Sequence, residues 1–142
     1  WIKNLGAALG FCNRLLSEFP DDHNMLKRKA MILAEIGGRE QEGLTAINRA
    51  MAIRSTPDLY YLRGLLQFAM GNHAGALEDF QFVERAGGDA KGDLDVLLAE
   101  TYLELDNQQL ARSYYDAARA QESQIQPRIL ARLNRIANRL TD

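Results

Sequence analysis

Small residues return along this chain at a nearly fixed interval: Ala30, Gly64 and Ala99 are separated by 64 − 30 = 34 and 99 − 64 = 35 positions. A second series keeps step with them. Gly43-Leu44, Ala76-Leu77 and Ala111-Arg112 are followed by the bulky Ile47, Phe80 and Tyr115, and then by Ala50, Val83 and Ala118. A period between 20 and 50 residues is the mark of a stacked array, in which no unit buries its apolar face alone. Small residues at a repeated position let neighbouring helices approach closely, and bulky ones wedge between units.

The segments carrying these residues read as helices. Leu5, Leu9, Leu15, Leu16 and Phe19 form an apolar stripe over 2–18 that Pro20 ends, and nowhere does a strand-like alternation persist. Asp22 or His23 opens a second helix with Met25, Leu26, Ala30, Leu33 and Ile36 on its apolar face, broken by Gly37-Gly38. Another helix runs to about Ile53. Ser55-Thr56-Pro57-Asp58 supplies a turn and a helix start, and Leu59, Leu62, Leu66 and Met70 lead on to Gly71. Residues 125–140 read as a final helix opened near Pro127, with Ile129, Leu133, Ile136 and Leu140 on one side and Arg128, Arg132, Arg135 and Arg139 on another. Such a helix closes an array: its apolar side covers the last repeat and its arginines are expected to face water.

At 142 residues the chain is long enough for one domain or a short array. Its 17 Lys+Arg against 19 Asp+Glu give a net charge of −2, which argues against nonspecific nucleic-acid binding because that draws on phosphate neutralisation. The single Cys12 cannot close an internal disulfide. No apolar run approaches the ~20 residues that span a bilayer, so no membrane insertion is expected. A soluble compartment, cytoplasm or bacterial periplasm, fits the composition. The start at Trp1 suggests a processed chain or one stretch of a longer scaffold.

The stretches YYLRGLLQFAMGNHAGALEDF at 60–80 and LLAETYLELDNQQLARSYY at 97–115 make the chain resemble the tetratricopeptide repeat family. The resemblance implies an all-α, right-handed superhelical solenoid of antiparallel helix pairs occupying 1–142 as one repeat domain. Full repeats are expected at 22–55, 57–89 and 91–123, a half repeat at 2–20 that ends at the family's proline, and a capping helix at 125–140. Departures are local. Gly43 stands for the usual alanine, the Gly37-Gly38 turn has an extra residue, and Gly87-Gly88 stands where a proline often closes the repeat.

Residues capable of chemistry do not converge. The phosphate-loop lookalike at 38–45 has Leu44 in place of the lysine and carries two glutamates. Asp89, Asp93 and Asp95 lack calcium-loop spacing, since Lys91 stands at the third position, and read as a solvated helix start. His23 and His73 have no second ligand at helical spacing, and Cys12 reads as a small packed hydrophobe. No catalytic residue, metal or cofactor is expected, and the chain reads as non-enzymatic.

What remains is surface. The resemblance implies that first helices line an inner, concave wall that receives a peptide or helix. Its positions become Lys27, Arg28, Met31, Ala34 and Glu35, then Tyr61, Leu62, Leu65 and Phe68, then Val96, Leu97, Glu100 and Leu103. An apolar patch with aromatic anchors at its middle suits an apolar or amphipathic segment of a protein partner. The opposing expectation is self-burial of Leu62 and Leu97. Relatives that hold acidic chaperone tails place lysines, asparagines and an arginine where this chain has Lys27, Met31, Leu62, Asp93 and Leu97, so no binding of such tails is expected. The alternatives are an assembly scaffold of bacterial secretion or envelope machinery, working through the convex face or the arginines at 128, 132, 135 and 139, and a substrate-docking segment of a larger enzyme. The half repeat also implies further repeats before Trp1 and an N-terminal flank able to pair with itself.

Overall fold

A computed structural model of the chain describes residues 2–88 and 91–140. Among the described residues all regular structure is helical, in eight α-helices and one short 3₁₀ turn. They divide into two compact units, Trp1–Asn72 and His73–Asp142, with the boundary between the fourth and fifth helices.

The first unit holds α1 (Ile2–Glu18), α2 (His23–Ile36), α3 (Glu40–Ile53) and α4 (Pro57–Ala69). Pro20 follows the last bond of α1, and the Asp22 carboxylate caps α2 by accepting the Met25 N–H at 2.9 Å. Gly37 and Gly38 both have positive φ, 73° and 75°, a conformation that only glycine adopts twice in succession without strain. Pro57 starts α4 with its missing N–H at a position that needs none. Leu26, Ala30, Ala46, Ile47, Ala50, Leu59, Leu62 and Leu66 form the core, with Leu16, Ala34, Leu44 and Met51 packed against it. Gly43 is explained by that core. A Cβ there would lie 3.1 Å from a Leu66 methyl and 3.5 Å from the Leu33 Cβ, so the departure from alanine permits a close α3–α4 approach.

The second unit holds α5 (His73–Ala86), α6 (Lys91–Glu104), α7 (Gln108–Arg119), the 3₁₀ turn Glu122–Gln124 and α8 (Pro127–Ala137). The α6–α7 turn uses Asp106 at φ 58°, a conformation Asp tolerates better than most side chains, and Asn107 caps α7 by accepting the Leu110 N–H. α5, α7 and α8 all pack on α6, which is buried around nearly its whole circumference. Gly92 lets α6 pass the 121–125 segment: a Cβ would sit 3.0 Å from the Ile125 Cγ1 and 3.5 Å from the Gln121 Cβ. Tyr102 and Tyr114 stack at 5.6 Å, with Gln81 donating to the Tyr102 hydroxyl and Tyr114 donating to Glu84 at 2.8 Å, which ties α5, α6 and α7 together. Burial, and then the bond to Glu84, raise the Tyr114 pKa.

Ala30, Gly64, Ala99, Ala76 and Ala111 are all buried, as are Ile47 and Phe80, while Tyr115 and Val83 are half-buried. The final helix is shorter than the expected 125–140. It ends at Ala137, and Arg139 and Leu140 lie in the turn beyond, their N–H groups donating to the Ile136 carbonyl.

Candidate protein-interaction surface

Each predicted surface residue belongs to one unit, and the two units treat them differently. In the first, α2 and α4 pack side by side, and Lys27 on α2 pairs with Asp58 in the first turn of α4. Burial alone would raise the Asp58 carboxyl, but hydrogen bonds from Lys27 and Thr56 outweigh it and hold the group below its ordinary value. Lys27 and Met31 are one turn apart on α2, and Tyr61, Leu65 and Phe68 share one face of α4 by their spacing. Met31 is 46% exposed, Tyr61, Leu65 and Phe68 are half-buried, and Leu62 is buried. The first unit therefore offers an exposed thioether on α2 and partly accessible apolar side chains on α4.

In the second unit the expectation fails. Val96 and Leu103 are buried together with Leu97, because α5, α7 and α8 close around α6. Glu100 is engaged as well, its carboxylate accepting from the Arg132 guanidinium at 2.8 Å. These three positions line no accessible groove. The sequence held the signal: Leu94, Val96, Leu97, Leu98, Tyr102 and Leu103 cover every side of the helix, the pattern of an element buried all round.

The acidic stretch also departs from its reading as a solvated helix start. Asp89 lies outside the described residues, but Asp93 and Asp95 are each only 3% exposed. Asp93 accepts the Gln126 N–H at 2.9 Å and so fixes the chain entering α8, while Asp95 accepts from the Gln121 side chain at 3.1 Å. Burial raises the Asp95 pKa against the opposing pull of Lys91 and that hydrogen bond. Leu62, Asp93 and Leu97, three of the five positions compared with chaperone-tail binders, are buried.

The arginine stripe is divided rather than freely solvated. Arg132 reaches Glu100 and Arg139 reaches Glu104, so these two hold the C-terminal segment to α6, while Arg128 and Arg135 are exposed. His73 stands 4.0 Å from Glu104, and His23 Nε2 lies 3.1 Å from the Arg54 carbonyl. Cys12 is buried. Among the described residues no group of three or more His, Cys, Asp or Glu side chains could hold a metal, and no helix is long and apolar enough to cross a membrane. A shallow cleft between α1, α2 and α3 has cations at its rim, but Lys29 pairs with Glu42 at 3.2 Å and Arg49 with Asp21 at 2.7 Å. Hydrogen bonds from Lys29 and Arg39 outweigh the desolvation of Glu42 and lower its pKa. The cleft presents satisfied ion pairs rather than a charged site.

Paired antiparallel helices, small residues at a spacing of 34 and 35, and inter-helix ties such as Lys27–Asp58 and Glu100–Arg132 describe a helical repeat framework. The chain is 34% identical over 80 residues to the human protein named Tetratricopeptide repeat protein 13. The relationship is to the tetratricopeptide repeat family. The matched stretch covers 56% of this chain and 9% of that much longer protein. No family model and no solved structure matches the chain. Tetratricopeptide repeats are protein-interaction modules, and of the residues expected to line a binding face, those of α2 and α4 are the ones this chain leaves accessible.

Proposed function

We propose that the chain is a non-enzymatic tetratricopeptide-repeat module that holds an apolar or amphipathic segment of a protein partner on the α2–α4 face of its first unit. The observation that carries this reading is the accessible Met31 beside a face of α4 bearing Tyr61, Leu65 and Phe68. Thioether and aromatic side chains give large contact area and adapt to a partner's shape. Lys27, already held by Asp58, stands at the polar rim. A helical ligand with apolar residues at three- and four-residue spacing suits two helices packed side by side.

The same resemblance supports reading the helix pairs as repeats at 22–55, 57–89 and 91–123 of a right-handed array within a larger scaffold. Of the remaining partner surfaces, the arginine stripe is reduced to Arg128 and Arg135, because Arg132 and Arg139 serve the fold. Acidic chaperone tails are not ligands in this reading, since of the five compared positions only Lys27 carries a cationic donor and it is already paired with Asp58.

Selection from a random-peptide display library on the intact chain tests the proposal. Selected peptides should share apolar residues at helical spacing and bind the Met31→Asp variant and the Tyr61→Ala/Phe68→Ala variant at least about tenfold more weakly. Circular dichroism should show helical content unchanged in Met31→Asp. Peptides that bind both variants as well as the parent would place the interaction elsewhere.

A further inference from the structure

Helix α2 carries three cations in succession, Lys27, Arg28 and Lys29, and the fold neutralises the outer two. Lys27 pairs with Asp58 of α4, and Lys29, on the other flank of the helix, pairs with Glu42 of α3 at 3.2 Å. Arg28 lies between them. Successive helical residues are about 100° apart, so a residue whose two neighbours turn towards α4 and α3 faces away from both, and Arg28 is exposed. Among the described residues no carboxylate pairs with it.

That charge lies beside the apolar part of the α2–α4 face. Asn24, Arg28, Met31 and Glu35 follow one another at helical spacing along one stripe of α2, and all four are exposed. Glu35, the acid of the stripe, is not free. Arg28 is thus one turn from Met31, the exposed thioether beside the face of α4 that bears Tyr61, Leu65 and Phe68. A segment seated on Met31 covers part of the Arg28 side chain, and a guanidinium taken from water against an apolar or cationic group loses hydration with nothing to offset the loss. A carboxylate on the segment offsets it by accepting two parallel N–H bonds. Arg28 alone does not make the convergent donor set that a terminal carboxylate or a phosphate takes, since Lys27 and Lys29 are turned away and paired. One guanidinium suits one side-chain carboxylate.

We propose that the segment held on the α2–α4 face is an acidic amphipathic helix, with apolar side chains at three- and four-residue spacing against Met31 and α4, and an Asp or Glu about one turn from them against Arg28. This rests on the α2–α4 face being the partner site and adds the partner's charge. The ion pair fixes where along α2 the apolar residues settle, a register that apolar contact alone leaves loose.

Parallel selections of displayed random peptides on the intact chain and on its Arg28→Glu variant test this. Arg28 is exposed, so the variant should keep its helical content by circular dichroism. Peptides selected on the parent should carry Asp or Glu one turn from their apolar residues, and those selected on Arg28→Glu should carry Lys or Arg there with the apolar spacing retained. Replacing the acid of a selected peptide by its amide, or Arg28→Gln in the chain, should each weaken binding about threefold to tenfold, and both together no more than either alone. Peptides that are weakened by Met31→Asp but show no acidic preference, or that bind Arg28→Gln as well as the parent, would overturn the pairing and leave the α2–α4 site standing. Peptides indifferent to Met31→Asp, or a library with no binder, would overturn both.

Discussion

α2 and α6 occupy the same place in the repeat register, yet they do opposite things. α2 buries Leu26, Ala30 and Leu33 and leaves Met31 in solvent; α6 buries Val96, Leu97, Leu98, Ala99, Thr101, Tyr102 and Leu103 in succession. Both have a small residue at the same register position, so the repeat period fixes how a helix pairs but not how much of it is covered. Coverage is set by the neighbours. α6 receives α8, whose Arg132 reaches Glu100, and the turn after α8, whose Arg139 reaches Glu104, and its N-terminal part is tied to the 121–126 segment through Asp93 and Asp95. A face left in solvent on α2 thereby belongs to the core on α6.

The largest expected effect separates the covered helix from the exposed one. Val96→Asp buries an unpaired carboxylate in the second unit and should cost about 3–5 kcal/mol in urea unfolding, whereas Met31→Asp on an exposed site should cost less than about 0.5 kcal/mol. Equal losses would erase the distinction between a helix with an exposed face and one buried all round.

A smaller effect contrasts the two close approaches made by glycine. At Gly92 an added methyl meets Ile125, Gln121 and, at 3.7 Å, the Gln121 carbonyl oxygen, a wall that is partly backbone. Gly92→Ala should destabilise by about 1–2 kcal/mol, as overpacking does. At Gly43 the nearest atoms are the terminal methyls of Leu66, which can move by a few tenths of an ångström. The helix-forming advantage of alanine, about 1 kcal/mol, then offsets the strain, and Gly43→Ala should change the thermal midpoint little. Differential scanning calorimetry of both variants checks the difference.

Much of the fold is legible in the sequence because its cues are local. Pro20, Gly37-Gly38, Pro57 and Gly71 delimit helices through backbone geometry alone, and Asp22 caps α2 as its position suggests. The candidate surface is legible only where α2 and α4 supply it. Periodicity does not reveal that Val96 and Leu103 are covered and Glu100 engaged, because their surroundings depend on α8, some 30 residues away in sequence, and on an ion pair with Arg132. The burial of Asp93 and Asp95 is hidden from the sequence for a related reason. A carboxylate near a helix start is normally stabilised by solvent and the helix dipole, and nothing nearby in sequence announces that Gln121 and the Gln126 N–H will satisfy these two inside the protein.

The smallest effect tests that last assignment and has a sign fixed by linkage. Asp95 has a folded-state pKa raised by burial, so its ionised form is disfavoured in the native state relative to the unfolded chain. Its contribution to stability is fully present below the unfolded pKa and is lost as pH rises through the folded value. Asp95→Asn removes the charge while keeping an amide oxygen to accept from the Gln121 side chain. The variant should therefore be more stable than the parent at neutral pH, by less than about 1 kcal/mol, and the advantage should fade as the pH falls through the native pKa of Asp95. Thermal unfolding of both proteins across pH 3–8 reads this out. A variant less stable than the parent at neutral pH would mean that the Asp95 charge is a net anchor for α6, held by Lys91 and Gln121, and that α6 is fixed by electrostatics more than by the apolar shell that sets it apart from α2.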